Sequence, residues 1–134
     1  LTRALLAACP ATRFMRDATR GGVATVLNEI AEAAAVEIVI DESAVPIREE
    51  VKGVCEILGL DPLYLANEGK LVAVVPAENA DGALATMRAH PLGHDARMIG
   101  RVGERVEPRV LMRTPFGGMR IVDMLVGDQL PRIC

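Results

Sequence analysis

Between Val23 and Ala34 the apolar residues Val23, Val26, Leu27, Ile30, Ala31 and Ala34 recur at helical spacing, with Asn28, Glu29 and Glu32 on the other face. This pattern predicts an amphipathic helix. A shorter helix over residues 2–9 precedes it and stops at Pro10, whose ring removes an amide donor and clashes with the preceding turn. Between the two, Phe14 to Gly22 has no sustained period and reads as an irregular polar stretch. Val36 to Ile40 is rich in β-branched residues and closed by Asp41-Glu42-Ser43, the pattern of a short strand. After Pro46, a further amphipathic helix aligns Val51, Val54, Cys55 and Leu58 on one face and stops at Gly59. Residues 61–66 predict a loop, followed by Asn67-Glu68-Gly69 and a strand over 70–75. The continuous apolar run of that strand predicts burial on both faces. Ala80, Ala83, Leu84 and Met87 mark a last helix, ended by His90-Pro91.

From Ala96 the pattern changes. Arg97, Arg101, Arg105, Arg109 and Arg113 recur every four residues, yet Gly100, Gly103 and Pro108 argue against one long helix. On strands the same positions share a face, because a period of two divides four. With Glu104 and Glu107 interspersed, they read as a solvated strand face rather than an anion-binding strip. Strands are predicted near 97–102 and 109–113, then a turn at 115–118 and a final strand at 119–122. The order α, α, β, α, β, α, β, β, β predicts an α/β fold in which helices cover a mixed or mostly antiparallel sheet. Residues 1–123 are expected to form this domain and residues 124–134 a mobile tail.

Composition sharpens this picture in a few places. With 134 residues, 51% of them hydrophobic, the chain suits one domain with a substantial core. Aromatic residues are only 2%, so that core must be aliphatic. The balance of 15 basic against 18 acidic residues gives no electrostatic case for nucleic acid or an anionic membrane. There is no run of about 18 apolar residues of the kind that spans a bilayer. Cys9, Cys55 and Cys134 lack the paired spacing of zinc or disulfide frameworks, which points to a reducing, cytoplasmic setting. Cys55 reads as a small core residue. His90 and His94 are spaced for a metal on one helix, but Pro91 and Gly93 break that geometry, so no metal site is expected. The chain opens at Leu1 rather than Met and reads as a piece of a longer protein.

Three stretches offer chemistry. The chain ends Pro131-Arg132-Ile133-Cys134, and a cysteine with nothing after it is poorly placed for packing. Prenylation needs its cysteine four residues from the end, so that use is excluded. Asp17-Ala18-Thr19-Arg20-Gly21-Gly22 leads into the most periodic helix; it suits either a capping turn or a phosphate site built from unpaired amides, glycines and Arg20. Asn67-Glu68-Gly69 places a carboxylate next to an apolar strand, where desolvation favours a base, or else a solvated loop carboxylate.

Taken in order, Met15 to Gly22, Cys55 to Leu63, Ala66 to Gly69, Ile99 to Val102, Gly117 to Val122 and Gly127 to Cys134 resemble the C-terminal domain of the HypE family of hydrogenase maturation proteins. The terminal Pro-Arg-Ile-Cys is the most specific element, whereas Asp-Ala-Thr-Arg-Gly-Gly is similar to turns in related enzymes such as aminoimidazole ribonucleotide synthetase. The resemblance implies the fold of that synthetase's C-terminal domain and the activity of an ATP-dependent carbamoyl dehydratase. Such an enzyme turns a thiocarboxamide into a thiocyanate and so supplies cyanide ligands for the iron of nickel–iron hydrogenase. By the same resemblance Cys134 is the carrier and Glu68 the base, with Asn67 beside it. Asp17, Thr19, Arg20, Gly21 and Gly22 would line the phosphate side of ATP, bound with Mg. The implied partners are the carbamoyltransferase HypF, the iron-carrying HypC–HypD complex and a second copy of the longer protein in a homodimer. Nothing in this chain corresponds to the family's N-terminal domain, which holds most of the nucleotide site, so the chain alone is expected to be inactive. Two alternatives are a related ATP-dependent phosphoryl-transfer enzyme, in which the terminal cysteine has no task, and a non-catalytic α/β interaction module.

Overall fold

The computed structural model describes residues 1–104 and 107–124. Its elements in order are α1 (Thr2–Ala8), β1 (Phe14–Ala18), α2 (Gly22–Ala34), β2 (Glu37–Asp41), α3 (Glu49–Leu58), β3 (Asn67–Val74), α4 (Ala80–Arg88), β4 (Gly100–Val102), β5 (Arg109–Arg113) and β6 (Met119–Ile121). Short 3-10 turns cover Glu42–Ala44, Pro62–Tyr64 and Ala77–Asn79. The fold is mixed α/β, as the order of patterns implies, with four helices and two sheets among the described residues. Arg105 and the tail from residue 125 onward, Cys134 included, lie outside them.

The chain divides into two compact units, Leu1–Arg16 with Leu71–Met98, and Asp17–Lys70 with Ile99–Cys134. In the first unit α1 packs against α4, burying Leu5, Cys9 and Ala83 with Met15, Ala73, Val75 and Met87 around them. His90 follows α4 rather than ending it. Its Nδ1 accepts the Leu92 amide at 3.1 Å.

The second unit is organised by a four-stranded sheet in the order β4-β2-β5-β6. β2 and β5 run parallel, while β4 and β6 pair antiparallel at the edges, so the sheet is mixed. Strand alternation sorts its two faces. Ile38, Ile40, Val110 and Met112 are buried on the side of α2, which contributes Ala24, Leu27 and Ala31 to the same core. On the opposite side Glu37 faces Arg109 and Asp41 faces Arg113 across the parallel register, with ion pairs of 2.6 and 3.1 Å. Both are open to solvent, so each contributes only about 0.2–1 kcal/mol. Two members of the arginine series are therefore half of cross-strand pairs on a solvated face.

Several local expectations are corrected. Residues 14–18 are not irregular but form β1, the partner of β3 in a two-stranded sheet. β3 starts at Asn67, three residues before the apolar run. It is exposed in its first half and only partly covered in its second, so it is not buried on both faces. The strand expected over 97–102 is confined to Gly100–Val102. α3 ends at Gly59 in the left-handed conformation, as its glycine stop implies, but of its apolar face only Cys55 is buried. Val51, Val54 and Leu58 remain 40%, 55% and 62% exposed. Asn28 belongs inside rather than on the polar face, at 8% exposure.

Candidate functional site

All described candidate residues fall in the second unit. Asp17 is the penultimate residue of β1 with its side chain exposed, and Thr19 donates its hydroxyl to Asp17 Oδ1 at 3.0 Å. Arg20 is exposed in the turn that follows. Gly21 is the N-cap of α2 at φ 62 and Gly22 its first residue at φ 65, a region that L side chains enter at a cost of roughly 1–2 kcal/mol. Asn67 and Glu68 open β3, Asn67 half-buried and Glu68 exposed. Because β1 pairs with β3, one small sheet carries both Asp17 and the Asn67-Glu68 pair. Cys134 lies outside the described residues.

The glycines are explained first by packing. A Cβ on Gly22 would overlap the backbone carbonyl oxygens of Leu63 and Leu65, and one on Gly21 would overlap the Thr25 hydroxyl. The N-terminus of α2 is thus pressed against the turn Pro62–Tyr64. The Thr25 hydroxyl oxygen is enclosed there with no hydrogen-bond partner among the described residues. The electrostatics still suit an anion. No side chain caps α2, so the donors of its first turn are not used by a capping oxygen, and the positive end of the helix dipole adds to them. With Arg20 beside it, this donor set fits a phosphate group. Glu68 is a different case: its exposure does not supply the desolvation that would mark it as a base.

Beside this helix start lies a cluster that the sequence pattern does not single out. Asp61 caps the turn Pro62–Tyr64 by accepting the Leu63 amide at 2.9 Å, and its other oxygen accepts from Arg120 at 2.7 Å. Tyr64 donates its hydroxyl to the Asp123 carbonyl at 3.0 Å. Burial, and then the neighbouring Asp61 carboxylate, push the Tyr64 phenol above its ordinary value, so it remains a donor throughout the neutral range. Asn28 Nδ2 donates to the Ala24 carbonyl and to the Val122 carbonyl, each at 2.9 Å. The only local signal for any of this is Asp61-Pro62, a cap followed by a residue suited to the first position of a turn. The Arg120, Asp123 and Val122 bonds join partners 59 to 94 residues apart in sequence.

Comparison with known proteins adds independent findings. The family model described as AIR synthase related protein, C-terminal domain, matches residues 3–113. The carbamoyl dehydratase HypE of Cupriavidus necator is 58% identical over 134 residues, which is 100% of this chain and 38% of that protein. A crystal structure of the hydrogenase maturation protein HypE in complex with ATP is 48% identical with a TM-score of 0.85, over 92% of this chain and 38% of its own. A HypE–HypF complex is 45% identical with a TM-score of 0.84, over 90% of this chain and 39% of its own. The chain therefore spans about two fifths of the length of the relatives it matches.

Proposed function

The chain belongs to the family of AIR synthase related C-terminal domains, in its HypE branch, and from that premise we propose that it is the carrier domain of an ATP-dependent carbamoyl dehydratase of hydrogenase maturation. The observation that carries this reading is the likeness to the Cupriavidus necator carbamoyl dehydratase, which spans all 134 residues and so includes Cys134. Burial of Cys9 and Cys55, at 1% and 3% exposure, supports it from the physical side, because neither thiol is accessible to a transferase.

The chemistry assigns a task to each group. The Cys134 sulfur holds a carbamoyl group delivered by a partner of the HypF kind. An amide oxygen is a very poor leaving group, and ATP, bound with Mg, supplies the phosphoryl group that lets it depart as phosphate. Both protons leave the nitrogen as the carbon–oxygen bond breaks and the carbon–nitrogen triple bond forms on sulfur. Oxygen is thereby lost to phosphate, and thiocyanate, ADP and one net proton are the remaining products. Glu68 takes a nitrogen proton, Asn67 orients the amide, and the start of α2 with Arg20 holds phosphate oxygens. Asp17 fixes Thr19 at the edge of that cradle. The thiocyanate then donates a cyanide ligand to the iron carried by a partner of the HypC–HypD kind; the carbon–sulfur bond breaks as an iron–carbon bond forms, and two electrons supplied from that partner's side return the Cys134 sulfur to a thiolate. The longer protein works as a homodimer in the cytoplasm. A crystallised HypE–HypF complex supports the first of these partners.

Two expected outcomes test the assignment. Glu68→Gln should leave the carbamoyl adduct on Cys134 intact while slowing its dehydration by about 10²-fold or more, the usual contribution of a positioned base. Dehydration at the normal rate would remove Glu68 from the role. The 134-residue chain alone should not turn over ATP in a phosphate-release assay, because the first turn of α2 and Arg20 form only one side of a nucleotide site. Appreciable turnover would show that the nucleotide site is complete within it.

A further inference from the structure

The sheet of the second unit ends on one side at β6, which pairs with β5 and has no second neighbour among the described residues. Two backbone bonds show which of its groups turn outward. The Thr114 amide donates to the Gly118 carbonyl and the Val122 amide to the Val110 carbonyl, each at 2.8 Å. Antiparallel pairing alternates along a strand, so Gly118, Arg120 and Val122 bond inward to β5, while the amides and carbonyls of Met119 and Ile121 point away from the sheet.

The side chains of these outward residues are open as well. Met119 is 49% and Ile121 59% exposed, and Phe116 at the tip of the same hairpin is fully exposed. Sheet edges are normally blunted by charge, proline or a bulge. The opposite edge, β4, carries Arg101 on the solvated face. On that face β6 has no such guard, because its charged residue, Arg120, lies on the other face and is held by Asp61 at 2.7 Å.

We propose that the β6 edge is an interaction surface for a second copy of this chain, the two β6 strands pairing antiparallel about a two-fold axis at Arg120. In that register Met119 faces Ile121 of the second copy and Ile121 faces its Met119. Every outward amide and carbonyl of the two residues finds a partner, and a slip by one residue leaves them unpaired. The apolar-arginine-apolar pattern is therefore self-complementary, as a two-fold contact requires. Leu111 lies beside Ile121 on the same face and joins the apolar contact. The two Arg120 side chains meet across the axis, where like charges would repel, but each is already half of an ion pair with Asp61. The hairpin is also set in advance: the Gly118 amide donates to Thr114 Oγ1 and the Gly117 amide to the Thr114 carbonyl, both at 3.0 Å, so little order has to be gained on binding. The contact lies wholly within this chain and does not depend on the carrier role of Cys134.

Three residues a side make a small contact, so half-association is expected at a concentration on the order of 10⁻⁴ M. Sedimentation equilibrium of the 134-residue chain, in reducing buffer so that no disulfide contributes, should show a concentration-dependent approach to the mass of two chains. Exchange of the Met119 and Ile121 amides should be slower at about 1 mM than at about 20 µM protein. Both side chains are solvent-facing, so substituting them spares the fold. Met119→Lys with Ile121→Lys sets like charges opposite each other twice and should weaken association at least about tenfold. Met119→Glu with Ile121→Lys sets opposite charges face to face in the same register and should restore it to within about threefold of wild type. A chain that stays monomeric at about 1 mM would overturn the proposal and leave the edge to another segment or to solvent. Equal weakening in the two double variants, or undiminished association in the double lysine variant, would overturn it too, because the contact would then lie elsewhere.

Discussion

Gly22→Ala is expected to destabilise the second unit by roughly 2–5 kcal/mol, combining about 1–2 kcal/mol for a side chain at positive φ with about 1–3 kcal/mol for overpacking. The φ of 65° is one part of the cost. The other is that the new methyl group would meet backbone, the carbonyls of Leu63 and Leu65, which cannot swing aside as a side chain tip can. Gly59→Ala provides the internal comparison. Gly59 has nearly the same φ, 66°, but nothing lies within 4 Å of its missing Cβ. It should lose only the conformational part, about 1–2 kcal/mol. Chemical denaturation of the two variants separates the terms, and equal losses would show that α2 is not held against the turn Pro62–Tyr64. Since whole domains are stable by only about 5–15 kcal/mol, the Gly22 variant should be the more aggregation-prone at growth temperature.

Cys134→Ala is expected to abolish thiocyanate formation altogether, the largest functional effect of any single substitution in the chain. A methyl group cannot hold a carbamoyl group, and the remaining thiols cannot replace the lost one. Cys9 is packed with Leu5 and Ala83, and Cys55 faces inward from α3. Cys134→Ser is the more demanding variant, because it keeps a nucleophile of similar size. Its hydroxyl ionises far less readily than a thiol, so it should be loaded poorly, and an oxygen-bound cyano group would not be equivalent as a donor of cyanide to iron. Cyanide displaced by excess added thiol from the denatured protein, the thiol forming a disulfide with the released sulfur, should be absent for both variants and stoichiometric with wild-type protein when measured colorimetrically. Residual product from Cys134→Ala would place the carrier elsewhere.

The parts of the fold visible in the sequence are those that a local period reports. α2 declares itself through six apolar residues at helical spacing, and α3 through its glycine stop. The same period is blind to what covers a face: Val51, Val54 and Leu58 have the spacing of a core and stay exposed. β1 has no local pattern because its strand character comes from pairing with β3. Asn28 shares its helix with polar neighbours and goes inward because two carbonyls, one of them 94 residues away, need its amide. The candidate site divides in the same way. The glycines before α2 and the terminal cysteine are legible as residue types in telling positions, whereas the turn that braces Gly22 and the Tyr64–Asp123 bond arise only when distant segments meet. The apolar run of β3 also misleads about Glu68, which is exposed where the sequence suggests desolvation.

The central claim is that Cys134 carries the carbon and nitrogen that become cyanide, and the mass of the C-terminal peptide tests it most directly. Full-length protein is incubated with the transferase and carbamoyl phosphate, first without ATP available to the dehydration step and then with it, and the terminal peptide is analysed after each stage. The account predicts a gain of one carbamoyl group on Cys134, followed by loss of one water from that same residue. An unmodified terminal peptide, or an adduct that ATP leaves unchanged, would contradict it.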